Sequence, residues 1–328
     1  MTRRLAVRRE SFPTRGSFRI SRGVKTQADV VVAEIQDGAA IGRGECVPYA
    51  RYEESVDGVV VAIEKLTDAI ADGLDHTQLQ TLLPPGAARN ALDCALWDLD
   101  AKQTGIPAWR KAGLTALPKP VPTLFTIGLD EPAAMEAAAR VAQDRPLLKI
   151  KLGGDHILER VRAVRTGAPH ARLVVDFNEG ANFEELKIVG SELKSLGVEL
   201  IEQPLPAGQD AALAGLNYPV PLGADESVHD SPDIAKLSAL YQVINIKLDK
   251  TGGLTEALAM KTRAQDAGLQ IMIGCMVATS LAMAPAMLLA QDAHFVDLDG
   301  PLLLARDREP GLRYDGGTIY PPSPDLWG

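Results

Sequence analysis

Lysines and carboxylates recur at the ends of successive apolar runs of this 328-residue chain: Lys149-Ile150-Lys151, Asp176-Phe177-Asn178, Glu202, Asp225-Glu226 and Lys247-Leu248-Asp249. Asp176, Glu202 and Asp225 close three consecutive runs, so their carboxylates are expected to converge, and three like charges call for a counterion. Hard oxygen ligands with no His or Cys beside them suit Mg2+, which takes octahedral oxygen coordination and keeps positions open for water or substrate. The alternative is that each carboxylate caps a following helix. In Lys149-Ile150-Lys151 the strand period sets both lysines on one face, opposite the apolar Ile150, which predicts that both amines point into the barrel. Lys247 ends a run on the far side of the carboxylates, which predicts one amine on each face of a metal-held substrate. Such a lysine acts as a base only when neutral, and a neighbouring ammonium, for which Lys149 is placed, would together with a divalent ion depress its pKa. Ion pairing inside a barrel core is the competing use of the same lysines. Asp297-Leu298-Asp299 aims two more carboxylates at one place. Metal ligation, helix capping and reception of a substrate ammonium are all open for them, the last being the most economical once the metal has three ligands.

These residues need a scaffold that gathers strand ends. The runs Pro122–Thr126, Leu147–Leu152, Leu173–Asp176, Glu199–Glu202, Val220–Asp225, Val243–Lys247, Gln270–Gly274 and His294–Asp297 are short, largely aliphatic and separated by longer amphipathic stretches. Eight such units predict a closed parallel barrel with its chemistry at the C-terminal strand ends. Ahead of them, Leu5–Val7, Val30–Ile35 and Ala40–Gly44 read as antiparallel strands, the last two joined by the Asp37-Gly38 turn. Val56–Ala71 and Gly86–Thr104 read as helices, the second with an apolar stripe of Ala91, Leu92, Ala95, Leu96 and Leu99. Asp93, Asp98 and Asp100 spread around that helix, which predicts caps and solvated faces rather than a metal cluster. The proline-rich stretch Pro118–Pro122 marks a linker, so an α+β unit is expected over residues 1–117 and the barrel over 118–309, with the tail 310–328 returning to the first unit.

Composition narrows the class. A chain that is 46% hydrophobic can bury a barrel core, and a net charge of −9 without any basic block makes nucleic acid and anionic membrane poor partners. Cys46, Cys94 and Cys275 are far apart and lie in apolar settings, as reduced thiols do. With no apolar h-region at the N-terminus and no run long enough to span a bilayer, a soluble cytoplasmic protein is expected. His76, His156, His170, His229 and His294 lack HxxxH or HxH spacing, which leaves zinc and a Ser-His-Asp triad unsupported. Gly252-Gly253 reads as a turn, not a phosphate loop.

At these residues the chain resembles the enolase superfamily, in its muconate lactonizing subgroup, and within it the dipeptide epimerases of the L-Ala-D/L-Glu type. The family's KxK motif stands as Lys149-Ile-Lys151, its metal ligands as Asp176 in VVDFNEG, Glu202 in IEQPLP and Asp225 in GADES, and its opposing base as Lys247 in NIKLDKTGG. The DxD element that holds a dipeptide's N-terminal ammonium stands as Asp297-Leu-Asp299 in VDLDGPL, and GAARNALDCALWDL also matches. The resemblance implies an α/β fold: a modified TIM barrel, (β/α)7β, under an α+β capping domain built from N- and C-terminal segments. It also implies Mg2+ as cofactor, substrate contacts from Thr126, Cys275, Met276 and Val277, and a glutamate-pairing arginine at Arg22 in FRISRG. The implied reaction is a 1,1-proton transfer at the α-carbon of the C-terminal residue, with Lys151 and Lys247 exchanging roles and Lys149 supporting the developing charge, in the service of peptidoglycan-peptide recycling. A homo-oligomer is compatible with the barrel, though no interface signature stands in the sequence.

Other chemistries on the same scaffold are o-succinylbenzoate synthesis and muconate cycloisomerisation, against which Asp297 and Asp299 argue by repelling an anionic ring. A Schiff-base aldolase would use Lys247 but leave the carboxylates unexplained. A non-catalytic binding protein would not need opposed lysines around a metal.

Overall fold

The structure is a computed structural model that describes residues 2–21 and 23–328, with residues 17 and 18 as backbone alone. Arg22 therefore lies outside the described residues. Strands β1 (Arg4–Ile20), β2 (Gly23–Asp37) and β3 (Ala40–Cys46) form an antiparallel sheet. Three residues of β1 were legible in the sequence because little else in RLAVRRESFPTRGSFRI alternates; the strand gets its length from pairing with β2 and tolerates a register shift between Pro13 and Phe18. The stretch expected as one helix over Val56–Ala71 is two, Val56–Glu64 and Thr67–Ala71. The long helix Ala87–Thr104 lies on β3, where a Cβ on Gly42 or Gly44 would strike the Ala95 or Ala91 carbonyl, so only glycine permits the approach.

Eight parallel strands follow in the order of the sequence: β5 (Phe125–Ile127), β6 (Leu147–Lys151), β7 (Arg172–Asp176), β8 (Val198–Glu202), β9 (Leu222–Ala224), β10 (Val243–Ile246), β11 (Gln270–Gly274) and β12 (Phe295–Asp297). The seam between first and last is bridged by the Leu124 N–H donating to the Val296 carbonyl at 2.8 Å and the Leu298 N–H to Thr123 Oγ1 at 3.0 Å. This is the modified TIM barrel, (β/α)7β, in which the last strand is followed by the short 3-10 turn Gly300–Leu303 where the other units have longer connections. Pro122, expected in the first barrel strand, instead belongs to β4 (Val121–Pro122), which pairs with β14 (Thr318–Ile319), itself paired with β13 (Tyr314–Asp315). Proline has no N–H to give a central strand, and here it sits at the edge of a small sheet. The tail ends on the long helix: Trp327 Nε1 donates to the Cys94 carbonyl at 3.0 Å and the Gly328 N–H to Asp98 Oδ1 at 2.8 Å.

Inside the barrel, side chains two residues apart change character. Leu124, Leu147, Val174, Leu200, Val243, Met272 and Phe295 pack into one buried apolar floor. Two residues further along the same strands come Thr126, Lys149, Asp176, Glu202, Asn245, Gly274 and Asp297. Strand period alone lifts these onto the inner face at the next level.

Candidate active site

Register sets the upper level: Lys151 pairs with Asp176, Asp176 with Glu202, and Gly274 with Asp297. Asp225 and Lys247 stand one residue beyond β9 and β10. Carboxylate oxygens of Asp176, Glu202 and Asp225, all buried, lie within 4.8 Å of one another. The lysines stand around them. Lys149 Nζ is 3.0 Å from Asp176 Oδ2, 2.7 Å from Glu202 Oε2 and 2.7 Å from Asp297 Oδ2. Lys151 Nζ donates to Asp176 Oδ2 at 2.7 Å and Lys247 Nζ to Asp225 Oδ2 at 2.6 Å, so these two amines sit on different members of the triad. Gly274 makes room for this arrangement, since a Cβ there would come within 3.0 Å of Lys247 Cε and 2.5 Å of Asn245 Oδ1.

Electrostatics follow from burial and neighbours. Burial pushes the Glu202 carboxyl up to about 8, the charges of Asp176 and Asp225 adding to it against Lys149 and Lys247. Burial would raise Asp176 and Asp225 too, but Lys149 and Lys151 hold the former, and Lys247 and Lys250 the latter, below the usual carboxylate range. Burial lowers Lys149 and Lys247, yet the surrounding carboxylates outweigh it and raise both, which agrees with Lys149 as the neighbouring ammonium and departs from the depressed base expected at Lys247. Among protein groups alone, the neighbouring ammonium is outnumbered by carboxylates. Glu202 Oε2, close to Lys149 but not aligned for a hydrogen bond, has no hydrogen-bond partner. A donor set of three buried carboxylates with one such oxygen and one raised acid fits a divalent cation that prefers oxygen.

The cavity above the triad is lined by Thr126, Lys149, Lys151, Asp225, Lys247, Cys275, Met276, Val277, Asp297 and Asp299, all singled out from sequence. Neither the Asp297 nor the Asp299 side chain caps a helix, although Asp299 stands at the N-cap position of the 3-10 turn Gly300–Leu303. Asp297 Oδ2 takes Lys149, its Oδ1 is buried without a hydrogen-bond partner, and Asp299 Oδ2 accepts the Thr126 N–H at 2.7 Å. Burial, with Asp297 nearby, pushes Asp299 up to about 7. The cavity also takes Ile20 and Lys25 from the β1–β2 hairpin, Tyr49 and Tyr52 from the loop after β3, and Asn178, Glu226, Gly300 and Leu303. None of these was assigned a role from sequence. Lys25 had a signal: it stands just past the hairpin tip, three residues after Arg22, and its ammonium lies 4.5 Å from the Tyr49 ring centroid.

Two further groups support the site from outside the cavity. Lys250 Nζ donates to Asp225 Oδ1 at 2.6 Å, and Asn245 Nδ2 to Glu202 Oε1 at 2.7 Å; their period-two and one-turn spacing to Lys247 was the available signal. The loops over the mouth are tied down by Ser21 Oγ donating to the Asn178 carbonyl at 2.9 Å, and by a two-pronged pair from Arg51 to Glu179 at 2.7 and 2.9 Å. Asp93 and Asp98, expected at caps and solvated faces, are fully buried. Asp93 accepts the Thr255 N–H at 2.9 Å and Asp98 the Arg43 N–H at 2.8 Å, so they fasten the long helix to the barrel and the sheet. No described helix is long and apolar enough to cross a membrane.

Residues 2–113 match the family "Mandelate racemase / muconate lactonizing enzyme, N-terminal domain" and residues 133–324 match "Enolase C-terminal domain-like". The chain is 45% identical over 304 residues to an N-acetyl-D-glutamate racemase of Pseudoalteromonas sp., covering 91% of this chain and 95% of the relative. It is 43% identical over 320 residues to the L-Ala-D/L-Glu epimerase of Escherichia coli K12, covering 97% and 99%. An enolase family member from Agrobacterium tumefaciens with homology to dipeptide epimerases, solved with bound sodium and L-Ala-L-Glu, superposes with a TM-score of 0.97 at 53% identity, covering 99% and 100%. Among further structural matches are dipeptide epimerases complexed with Mg and a dipeptide.

Proposed function

We propose, from the premise that the chain belongs to the mandelate racemase and muconate lactonizing enzyme family of the enolase superfamily, that it is a Mg2+-dependent dipeptide epimerase interconverting L-Ala-D-Glu and L-Ala-L-Glu. The observation that carries the reading is the pair Lys151 and Lys247, set on different members of one carboxylate triad. Asp176, Glu202 and Asp225 would hold Mg2+, which when bound supplies a Lewis acid for the dipeptide's terminal carboxylate. The remaining work falls to the chain. One of the two lysines takes the α-proton, the other returns a proton to the opposite face, and the roles reverse for the other enantiomer. Lys149, buried and cationic among the carboxylates, offsets negative charge as it develops. Asp297 and Asp299 receive the N-terminal ammonium, for which the unpartnered Asp297 Oδ1 supplies an acceptor. Lys25 supplies a counter-charge for the glutamate side chain on the capping side of the cavity, beside or in place of Arg22. Peptidoglycan-peptide recycling in the cytoplasm is the role such an activity would serve. The capping unit would then comprise residues 1–117 with 310–328, and the catalytic barrel 118–309.

The Pseudoalteromonas relative favours a second reading, racemisation of N-acetylglutamate, which has the same α-carbon but no ammonium. Incubation in D2O with Mg2+ separates the two. Deuterium should enter the glutamate α-carbon of L-Ala-L-Glu and L-Ala-D-Glu, with N-acetylglutamate a far poorer substrate. Preferential labelling of N-acetylglutamate would select the racemase, and no labelling of either would remove both.

A further inference from the structure

Each carboxylate of the triad has one oxygen bonded to a donor other than the three lysines at the mouth. Asp176 Oδ1 accepts the Asn178 N–H at 2.8 Å, Glu202 Oε1 accepts Asn245 Nδ2 at 2.7 Å, and Asp225 Oδ1 accepts Lys250 Nζ at 2.6 Å. The other three oxygens, Asp176 Oδ2, Glu202 Oε2 and Asp225 Oδ2, are the ones that face Lys149, Lys151 and Lys247, and of these Asp176 Oδ2 also accepts Asn178 Nδ2 at 3.2 Å. The anchors are themselves fixed. Lys250 is 2% exposed and also donates to the backbone carbonyls of Asp225 at 2.5 Å and Asn245 at 3.1 Å. Asn245 is 1% exposed and confined by Gly274, where any Cβ would collide with its amide.

This division of oxygens bears on which ion the triad takes. Mg2+ demands a tight octahedron and takes few protein oxygens, whereas Ca2+ accepts six to eight and gains from carboxylates that chelate through both oxygens. A carboxylate with one oxygen occupied by a buried donor cannot chelate without breaking that bond and leaving the donor unsatisfied. We propose, resting on the metal site argued above, that Asn245 and Lys250 are positioning residues which confine Glu202 and Asp225 to one-oxygen ligation and thereby make the site discriminate against Ca2+. Neither lines the substrate cavity; they act by occupying the atom a chelating carboxylate would need. The third anchor is a backbone N–H, which no side-chain substitution removes, so the selectivity is adjustable at the other two.

The test is calorimetric titration of the wild type, Asn245→Leu and Lys250→Met with MgCl2 and with CaCl2, in the absence of dipeptide. The ratio of Mg2+ to Ca2+ affinity should fall by about 10-fold in each variant, the lower end of what losing an outer-shell partner does to metal sites. Removing the Lys250 charge changes the field on both divalent ions alike and so cancels in that ratio. Affinities that move together in both variants, leaving the ratio within about twofold of wild type, would show merely structural or electrostatic roles and overturn the proposal. Should a variant fail to fold, the wild type decides: crystals soaked with CaCl2 should show Glu202 and Asp225 each binding through a single oxygen, and two-oxygen binding by either residue overturns the proposal. A wild type that binds neither ion would remove the metal site itself, a different failure from a lost preference.

Discussion

The floor and the mouth of the barrel are built by the same strands two residues apart, and they do opposite things to the fold. The floor residues, Leu124 to Phe295, are buried hydrocarbon, and each such side chain contributes about 1.5–3 kcal/mol on leaving water. The mouth buries Lys149, Lys151, Lys247 and Lys250 against Asp176, Glu202, Asp225, Asp297 and Asp299. Ion pairs so enclosed recover their desolvation cost at best in part. The stability that holds the mouth in place therefore comes from below it, and the mouth's charges are present for what they bind. Burial is also what raises Glu202, with Asp176 and Asp225 adding more than Lys149 and Lys247 offset.

Substitutions in the mouth should separate the two regions most sharply. Lys151→Ala and Lys247→Ala should each lower epimerisation by about 10²–10⁴-fold, the range for losing a general acid or base. Each variant should still exchange the α-proton of one enantiomer in D2O, and the two should label opposite enantiomers. Labelling blind to configuration, or undiminished inversion in either variant, would refute the opposed lysines. The counterpart in the floor is Leu200→Ala. It should cost about 2–5 kcal/mol in urea unfolding as a cavity opens, while kcat of the folded fraction stays near wild type. A collapse of kcat with unchanged stability would mean that floor and mouth are not separable.

The mouth was far more legible in the sequence than its lid. Lys151, Asp176 and Glu202 end regular strands and Lys149 stands two residues before such an end, where a period of two fixes the face a side chain takes and the barrel fixes where the strand ends meet. The buried Asp93 and Asp98 were not legible, because a helix that packs on both a sheet and a barrel has no solvated side for the pattern to mark. Lys250 and Asn245 had a spacing to Lys247 but no role that sequence could attach to it. They touch the far oxygens of the ligands, and no spacing rule says which oxygen of a carboxylate is already taken. Lys25 and Tyr49 come from separate segments of the capping sheet and its following loop, which meet over the cavity only after the long hairpin is built.

The lid allows a sharper division between chemistry and selection. If the barrel lysines perform the reaction and the capping hairpin chooses the side chain, Lys25→Met should raise KM for L-Ala-L-Glu with little change in kcat. The loss should be about 1.5–3 kcal/mol, the worth of a charge-assisted hydrogen bond. L-Ala-L-Leu should be nearly unaffected. Running Arg22→Ala beside it assigns the role, since the residue that pairs with the glutamate will discriminate the two dipeptides and the other will not. Equal losses on both dipeptides in both variants would move specificity out of the hairpin.

The most gradual effect concerns a buried charge at the junction of capping sheet and barrel. Asp249 Oδ1 accepts the Val47 N–H at 2.9 Å and Asn90 Nδ2 at 2.8 Å. Burial pushes its carboxyl up from 3.8 to about 7; these two hydrogen bonds oppose the rise, and the charges of Glu54 and Glu45 add to it. A carboxyl raised in the folded state binds its proton more tightly there than in the unfolded chain. Its contribution therefore favours folding fully below about pH 4 and is lost as the pH climbs toward 7, by at most about 1.4 kcal/mol per unit. Asp249→Asn keeps an Oδ1 acceptor for both donors and cannot ionise. Urea melts of the two proteins should then diverge as pH rises from 4 to 7, with the variant gaining on the wild type. Curves that run parallel across that window would mean that Asp249 stays charged in its buried place, and that the cost of enclosed charge in this molecule is not confined to the mouth.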